Sequence, residues 1–136
     1  MRVVADTNVI ISMLLWGKSL ERLLVSVNTR KITLCFSPDT IDELFEVINY
    51  PRIKKQAYNL KVPVETLIDK LLAVSEIVYP AQRISLITDD PSDNRILEAA
   101  VVAKVDYIIS GDRHLLRIKQ IAGIPILTPA QFLKLL

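Results

Sequence analysis

Three aspartates stand out, because each follows or opens an element able to carry it to a common point. Asp6 ends one short apolar run, Val3-Val4-Ala5-Asp6-Thr7-Asn8, and Asp112 follows another, Ile108-Ile109-Ser110-Gly111-Asp112. Asp93 comes from a helical pattern instead. Ile96, Leu97 and Ala100 lie three, four and seven residues beyond it, so the acid shares the apolar stripe. An ionised carboxylate resists such a position, because burial strips away its water. Taken singly, Asp6 and Asp112 are also good turn or capping residues, and Asp93 a first-turn acid favoured by the helix dipole. Together they imply more. Two carboxylates about 4 Å apart repel by roughly 4 kcal/mol at an effective dielectric of about 20. Converging acids therefore need raised pKa values or a cation. Oxygen ligands with no Cys or His beside them favour Mg²⁺ or Mn²⁺, and such sites commonly handle phosphate esters.

The elements that must position these acids are legible as an alternation. Short apolar runs at Arg2 to Ala5, Ile32 to Phe36, Ile77 to Tyr79, Tyr107 to Ser110 and Pro125 to Leu127 read as five strands buried on both faces. Amphipathic segments lie between them: Ile41, Leu44, Phe45 and Ile48 form one stripe, and Leu67, Leu71 and Leu72 a shorter one. Ser37-Pro38, Asp90-Pro91 and Thr128-Pro129 each place a capping side chain before a proline at a helix start, and Gln131 completes a capping box with Thr128. On this reading Pro91 opens the helix of Asp93, with Asp90 as its N-cap or as an acid at the edge of the site. Asn49 to Pro51 should break the helix begun at Pro38. The expectation is an α/β three-layer sandwich: a central, mostly parallel five-stranded sheet flanked by helices, in one domain over residues 1–136. Ligands of such sheets bind beyond the carboxyl ends of the strands, where Asp6 and Asp112 fall.

The helix beginning at Pro38 offers four more acids, Asp39, Asp42, Glu43 and Glu46. Periodicity does not choose among them, and it puts Glu43 away from the apolar stripe, on a solvated face.

Composition narrows the class. With 136 residues the chain is near the commonest domain size, and 51% apolar residues with only 6% aromatics imply an aliphatic core. Seventeen basic against fifteen acidic residues leave +2, too little to announce a nucleic-acid binder. Cys35 is the only cysteine and His114 the only histidine, which excludes an intrachain disulfide and a Cys- or His-rich metal site. Cys35 reads as an inert core thiol and His114 as a surface residue. No run approaches the roughly 18 apolar residues of a membrane span, and the N-terminus lacks a signal-peptide pattern, so the expected home is the cytoplasm.

In order and spacing these residues resemble the PIN-domain ribonucleases. The matches are Asp6-Thr7-Asn8 after the first strand, Glu43-Leu44 inside the third helix, Asp93-Asn94-Arg95-Ile96-Leu97-Glu98-Ala99-Ala100, and Ser110-Gly111-Asp112-Arg113-His114-Leu115. The closing Ile126-Leu127-Thr128-Pro129-Ala130-Gln131-Phe132-Leu133 is similar to the last strand and helix of that family. Within it the chain looks most like the VapC-like toxins of toxin–antitoxin pairs. The resemblance implies hydrolysis of RNA phosphodiesters in an acidic pocket of Asp6, Glu43, Asp93 and Asp112. Asp6, Asp93 and Asp112 would hold Mg²⁺ or Mn²⁺, while Asn8 and Ser110 orient carboxylates or water. It also implies a homodimer and a small antitoxin that covers the pocket. Gly111 departs from the pattern, since many relatives carry a larger polar or charged residue there, which bears on substrate preference.

Arg95 and Arg113 lie beside the acids in sequence and are candidates to touch phosphate, with structural ion pairs as the alternative. A weaker basic strip, Arg52, Lys54, Lys55 and Lys61 with Tyr50 and Tyr58, reads as a backbone-binding surface or, more plainly, a solvated helix face. Leu14, Leu15 and Trp16 suit a core, or else an interface. Two other functions compete. A haloacid-dehalogenase-type phosphatase needs a second Asp two residues after the first, where this chain has Asn8. A binding module that kept the fold and lost catalysis would not need all four acids.

Overall fold

The computed structural model describes residues 1–16, 20–87 and 89–136. Strand β1 (Arg2–Ala5) leads into α1 (Thr7–Leu15) and α2 (Glu21–Asn28). Strand β2 (Thr33–Phe36) is followed by α3 (Pro38–Val47), α4 (Pro51–Ala57) and α5 (Val64–Ala73), which returns to the two-residue strand β3 (Glu76–Ile77). Then come α6 (Asp93–Ala103), β4 (Tyr107–Ile109), α7 (Arg113–Ile118), β5 (Gln120–Ile121), β6 (Ile124–Leu127) and α8 (Pro129–Leu133).

The sheet order is β3-β2-β1-β4-β6-β5, parallel throughout except for β5, which pairs antiparallel with β6. The expected α/β architecture is present, with six strands where the sequence pattern predicts five. The extra strand, β5, is two residues long, too short for any periodicity to register. It turns into β6 through Ala122 and Gly123, both at positive φ (50° and 78°), as a tight hairpin turn requires.

Strand alternation divides the core into two layers. Val3, Ala5, Leu34, Phe36 and Ile109 face one side and pack with Ile10, Leu44, Ile53, Ile68 and Phe132 from the helices there. Val4, Cys35 and Ile108 face the other side, against Ile96, Leu97, Ala99, Ala100 and Leu115. Small alanines let α6 lie close to the sheet. Trp16, at the end of α1, does not join either layer and is 43% exposed, contrary to the core reading.

Caps place the helices as the sequence implies. Ser37 with Thr40, and Thr128 with Gln131, form reciprocal capping boxes ahead of α3 and α8. The Asn49–Pro51 stretch separates α3 from α4 as expected. At α6 the outcome differs. Asp90, Pro91 and Ser92 form a tight turn in which Asp93 N bonds Asp90 O and Asn94 N bonds Pro91 O. The α-helix proper begins at Asp93, not at Pro91. Asp90 caps this preceding turn, accepting from Ser92 N (3.1 Å) and Ser92 Oγ (2.6 Å).

Candidate functional site

The crevice forms where the chain leaves two neighbouring parallel strands. Ala5 of β1 stands opposite Ile109 of β4, and Asp6 N donates to Ile109 O at 3.0 Å. Asp6 and Ser110 therefore emerge side by side. Ser110 is fully buried; its hydroxyl donates to Asp6 Oδ2 and accepts from Asp112 N at 2.9 Å. One hydroxyl thus ties together the acids of two strands.

Both capping readings hold as well. Asp6 caps α1 through Val9 N (2.9 Å), and Asp112 caps α7 through His114 N (2.7 Å). Each cap spends one oxygen and fixes the direction of the carboxylate. Burial pushes Asp6 up from the usual carboxylate range, partly countered by the Ser110 and Val9 hydrogen bonds.

Glu43 is half-buried, contrary to the solvated position the wheel predicts for it. Helix α3 packs against both α1 and α6, so its buried arc is wider than the apolar stripe. Thr7 Oγ1 donates to Glu43 Oε2 at 2.9 Å, and burial raises the Glu43 pKa. Thr7 is a residue that sequence reasoning passed over. Its only signal is its place at the first turn of α1, directly after Asp6.

Asp93 is the least compensated acid. It is 9% exposed, and its Oδ2 is buried with no hydrogen-bond partner. Burial first, and then the charges of Asp112, Asp90, Asp6 and Glu43, push its pKa up to about 7.

These four acids and Asp90 line one cavity of about 330 Å³, together with Asn8, Ser92, Tyr50 and Arg52. Asn8 is exposed at its edge, and no hydrogen bond joins its side chain to an acid among the described residues; Thr7 and Ser110 make those bonds. Of the two arginines, Arg95 is committed elsewhere: its guanidinium meets Glu98 Oε2 and Ile84 O, both at 3.2 Å. Arg113 is exposed and is not part of the cavity wall. His114 Nδ1 lies 3.5 Å from Asp89. A side chain at Gly111 would meet open space.

The donor set is all oxygen, and the orphaned Asp93 Oδ2 sits among other acids, which is the chemistry a hard divalent cation fits. As the side chains stand, no group of three or more His, Cys, Asp or Glu among the described residues is arranged to hold a metal ion. Uncompensated carboxylates repel and stand apart until a cation offsets their charge.

Known structures share this architecture. PAE2754 from Pyrobaculum aerophilum matches with a TM-score of 0.58 and 13% identity, over 98% of this chain and 88% of that one. VapBC2 from Rickettsia felis, bound to a DNA fragment from its promoter, gives 0.58 and 14%, over 94% and 98%. DNA-bound VapBC from Salmonella typhimurium gives 0.60 and 15%, over 95% and 98%. No curated protein matches the sequence. The PIN domain family model matches residues 2–114, which takes in all four acids of the cavity. This chain belongs to the PIN domain family.

Proposed function

We propose that the chain is a Mg²⁺- or Mn²⁺-dependent endoribonuclease and the toxin of a toxin–antitoxin pair. The observation that carries the reading is the meeting of Asp6, Glu43, Asp93 and Asp112, from four separate elements, in one cavity. The unpartnered buried oxygen of Asp93 supports it. A structural role for these acids would leave each one satisfied, and Asp93 is not.

Asp6, Asp93 and Asp112 would hold the ion, with Glu43 beside them. When bound, a divalent cation offsets phosphate charge and makes water a stronger acid. The side chains do the rest. Ser110 and Val9 N keep both Asp6 oxygens aimed, His114 N does so for Asp112, and Thr7 does so for Glu43. Without a cation, burial and the neighbouring acids raise the Asp93 pKa to about 7, so this carboxyl ionises less readily than the others in the cavity. Hydrolysis then adds the hydroxyl of water to phosphorus and delivers a proton to the departing oxygen, with no covalent enzyme intermediate.

The proposed partner is an antitoxin protein that covers the cavity. Two of the structures with this fold are VapBC assemblies, and the motifs resemble VapC-like toxins. The homodimer and the cytoplasmic setting belong to the same proposal. No helix among the described residues is long and apolar enough to cross a membrane.

The test compares wild type with Asp93→Asn on a labelled single-stranded RNA in Mn²⁺, Mg²⁺ and EDTA. Wild type should cut only with metal, and the folded variant should not cut. Equal cleavage by both proteins would place the reaction elsewhere. No cleavage by wild type, together with no calorimetric Mn²⁺ binding, would sink the metal-nuclease reading.

A further inference from the structure

The cavity poses an electrostatic problem. Five carboxylates line it, so an approaching phosphodiester is repelled before any cation can help. Among the described residues Arg52 is the only basic one in its wall. Among those residues, too, it makes no ion pair, whereas the Arg95 guanidinium is held by Glu98 and the Ile84 carbonyl. Arg52 is thus the cation at the mouth that is left for a ligand.

Helix geometry extends the feature outward. At 100° per residue, Ile53 (1% exposed) points α4 into the core, and Arg52 and Lys55 fall about 60° apart on the outer side. Lys54 falls about 160° from Arg52 and does not share that face. Tyr58, at the end of α4 and three residues beyond Lys55, carries this i+3 ridge about 60° further round the helix, to about 120° from Arg52, and is 86% exposed. At the other end Tyr50 lines the cavity, is 45% exposed, and is steadied by its hydroxyl donating to Glu46 Oε1 at 3.4 Å. Cations interleaved with open aromatic rings suit a single strand, whose unpaired bases can stack while its backbone meets the charges.

We infer that the row Tyr50, Arg52, Lys55 and Tyr58 is the surface that grips single-stranded RNA and leads its backbone into the acid cavity. The choice of RNA rests on the proposed function; the grip itself does not depend on cleavage.

Binding is therefore measured in EDTA, with a labelled mixed-sequence oligoribonucleotide, across a salt series. Wild type should bind, with affinity falling as salt rises. Arg52→Gln with Lys55→Gln should flatten the log–log salt slope by about 1.4, at roughly 0.7 for each phosphate no longer neutralised. Lys31→Gln with Lys104→Gln matches the charge change and should leave the slope alone, since both residues precede strands, at the opposite end of the sheet. Tyr50→Ala should weaken binding by roughly 5- to 150-fold, and Tyr50→Phe, which keeps the ring, should not. Urea midpoints confirm that each variant is folded. Unchanged affinity and slope in the Arg52/Lys55 variant would overturn the inference, as expected if the strip serves a protein partner instead. So would a wild type that binds no RNA. A wild type that binds through this row yet neither cuts with Mn²⁺ nor binds Mn²⁺ by calorimetry would sink the metal-nuclease reading and leave this one standing.

Discussion

Asp93→Asn should abolish the pH dependence that one buried carboxylate imposes on folding. The Asp93 pKa moves from 3.8 to about 7, a rise of about 3 units at ~1.4 kcal/mol each. In the folded chain the proton is held more tightly than in the unfolded one. Between about pH 4 and 7 the folded state keeps that proton while the unfolded state has lost it, so stability falls as pH rises and levels off above 7. The ceiling is about 4 kcal/mol; relaxation and counterions in an open cavity halve it, to about 2 kcal/mol. Asparagine carries no charge and places an amide donor among acceptors. The variant should match wild type near pH 4 and exceed it by about 2 kcal/mol at pH 8. Urea unfolding in EDTA at pH 4, 6 and 8 measures this directly. Millimolar Mn²⁺ at pH 8 should narrow the gap by stabilising wild type alone. A wild-type-minus-variant difference that stays constant across the series would refute the reasoning, because it would mean Asp93 is no harder to ionise folded than unfolded.

Two further substitutions probe the frame around the acids. Ser110→Ala removes the hydroxyl between Asp6 and Asp112, should cost about 1–3 kcal/mol in urea, and should slow metal-dependent RNA cleavage at least about tenfold. Asn94→Ala frees the backbone of Ile87, whose N and O are held at 2.9 and 2.7 Å by one buried side chain. Amide exchange at Ile87 should accelerate while amides in β1 and β4 keep their protection, because the bond pins the approach to Asp90 and not the sheet.

Much of this arrangement is local and so was legible in the chain. A cap speaks to an amide two or three residues away, and a buried strand shows as an unbroken apolar run; Asp6, Asp112, Ser37 and Thr128 could all be read from their immediate neighbours. Asp93 was legible for the same reason, since its place on the Ile96, Leu97, Ala100 stripe is a matter of helical period. The strand β5 and the turn before Asp93 escaped because two or three residues are too few to express a period.

What sequence periodicity could not decide is any contact whose partner arrives from a distant element. Asp39, Asp42, Glu43 and Glu46 are equivalent on an isolated helix, and only a family resemblance separated them. Glu43 turns inward because α1 brings Thr7 across to it. Arg95 and Arg52 trade places for the same reason. The arginine beside Asp93 in sequence is drawn to Glu98 and the Ile84 carbonyl, while the one 41 residues away is carried by α4 to the cavity mouth. Sequence alone determined the longer elements, the caps of α1, α3, α7 and α8, and the acids at the strand ends, because those depend on near neighbours. Tertiary packing decided which charged side chains face one another, because that depends on how the helices sit across the sheet.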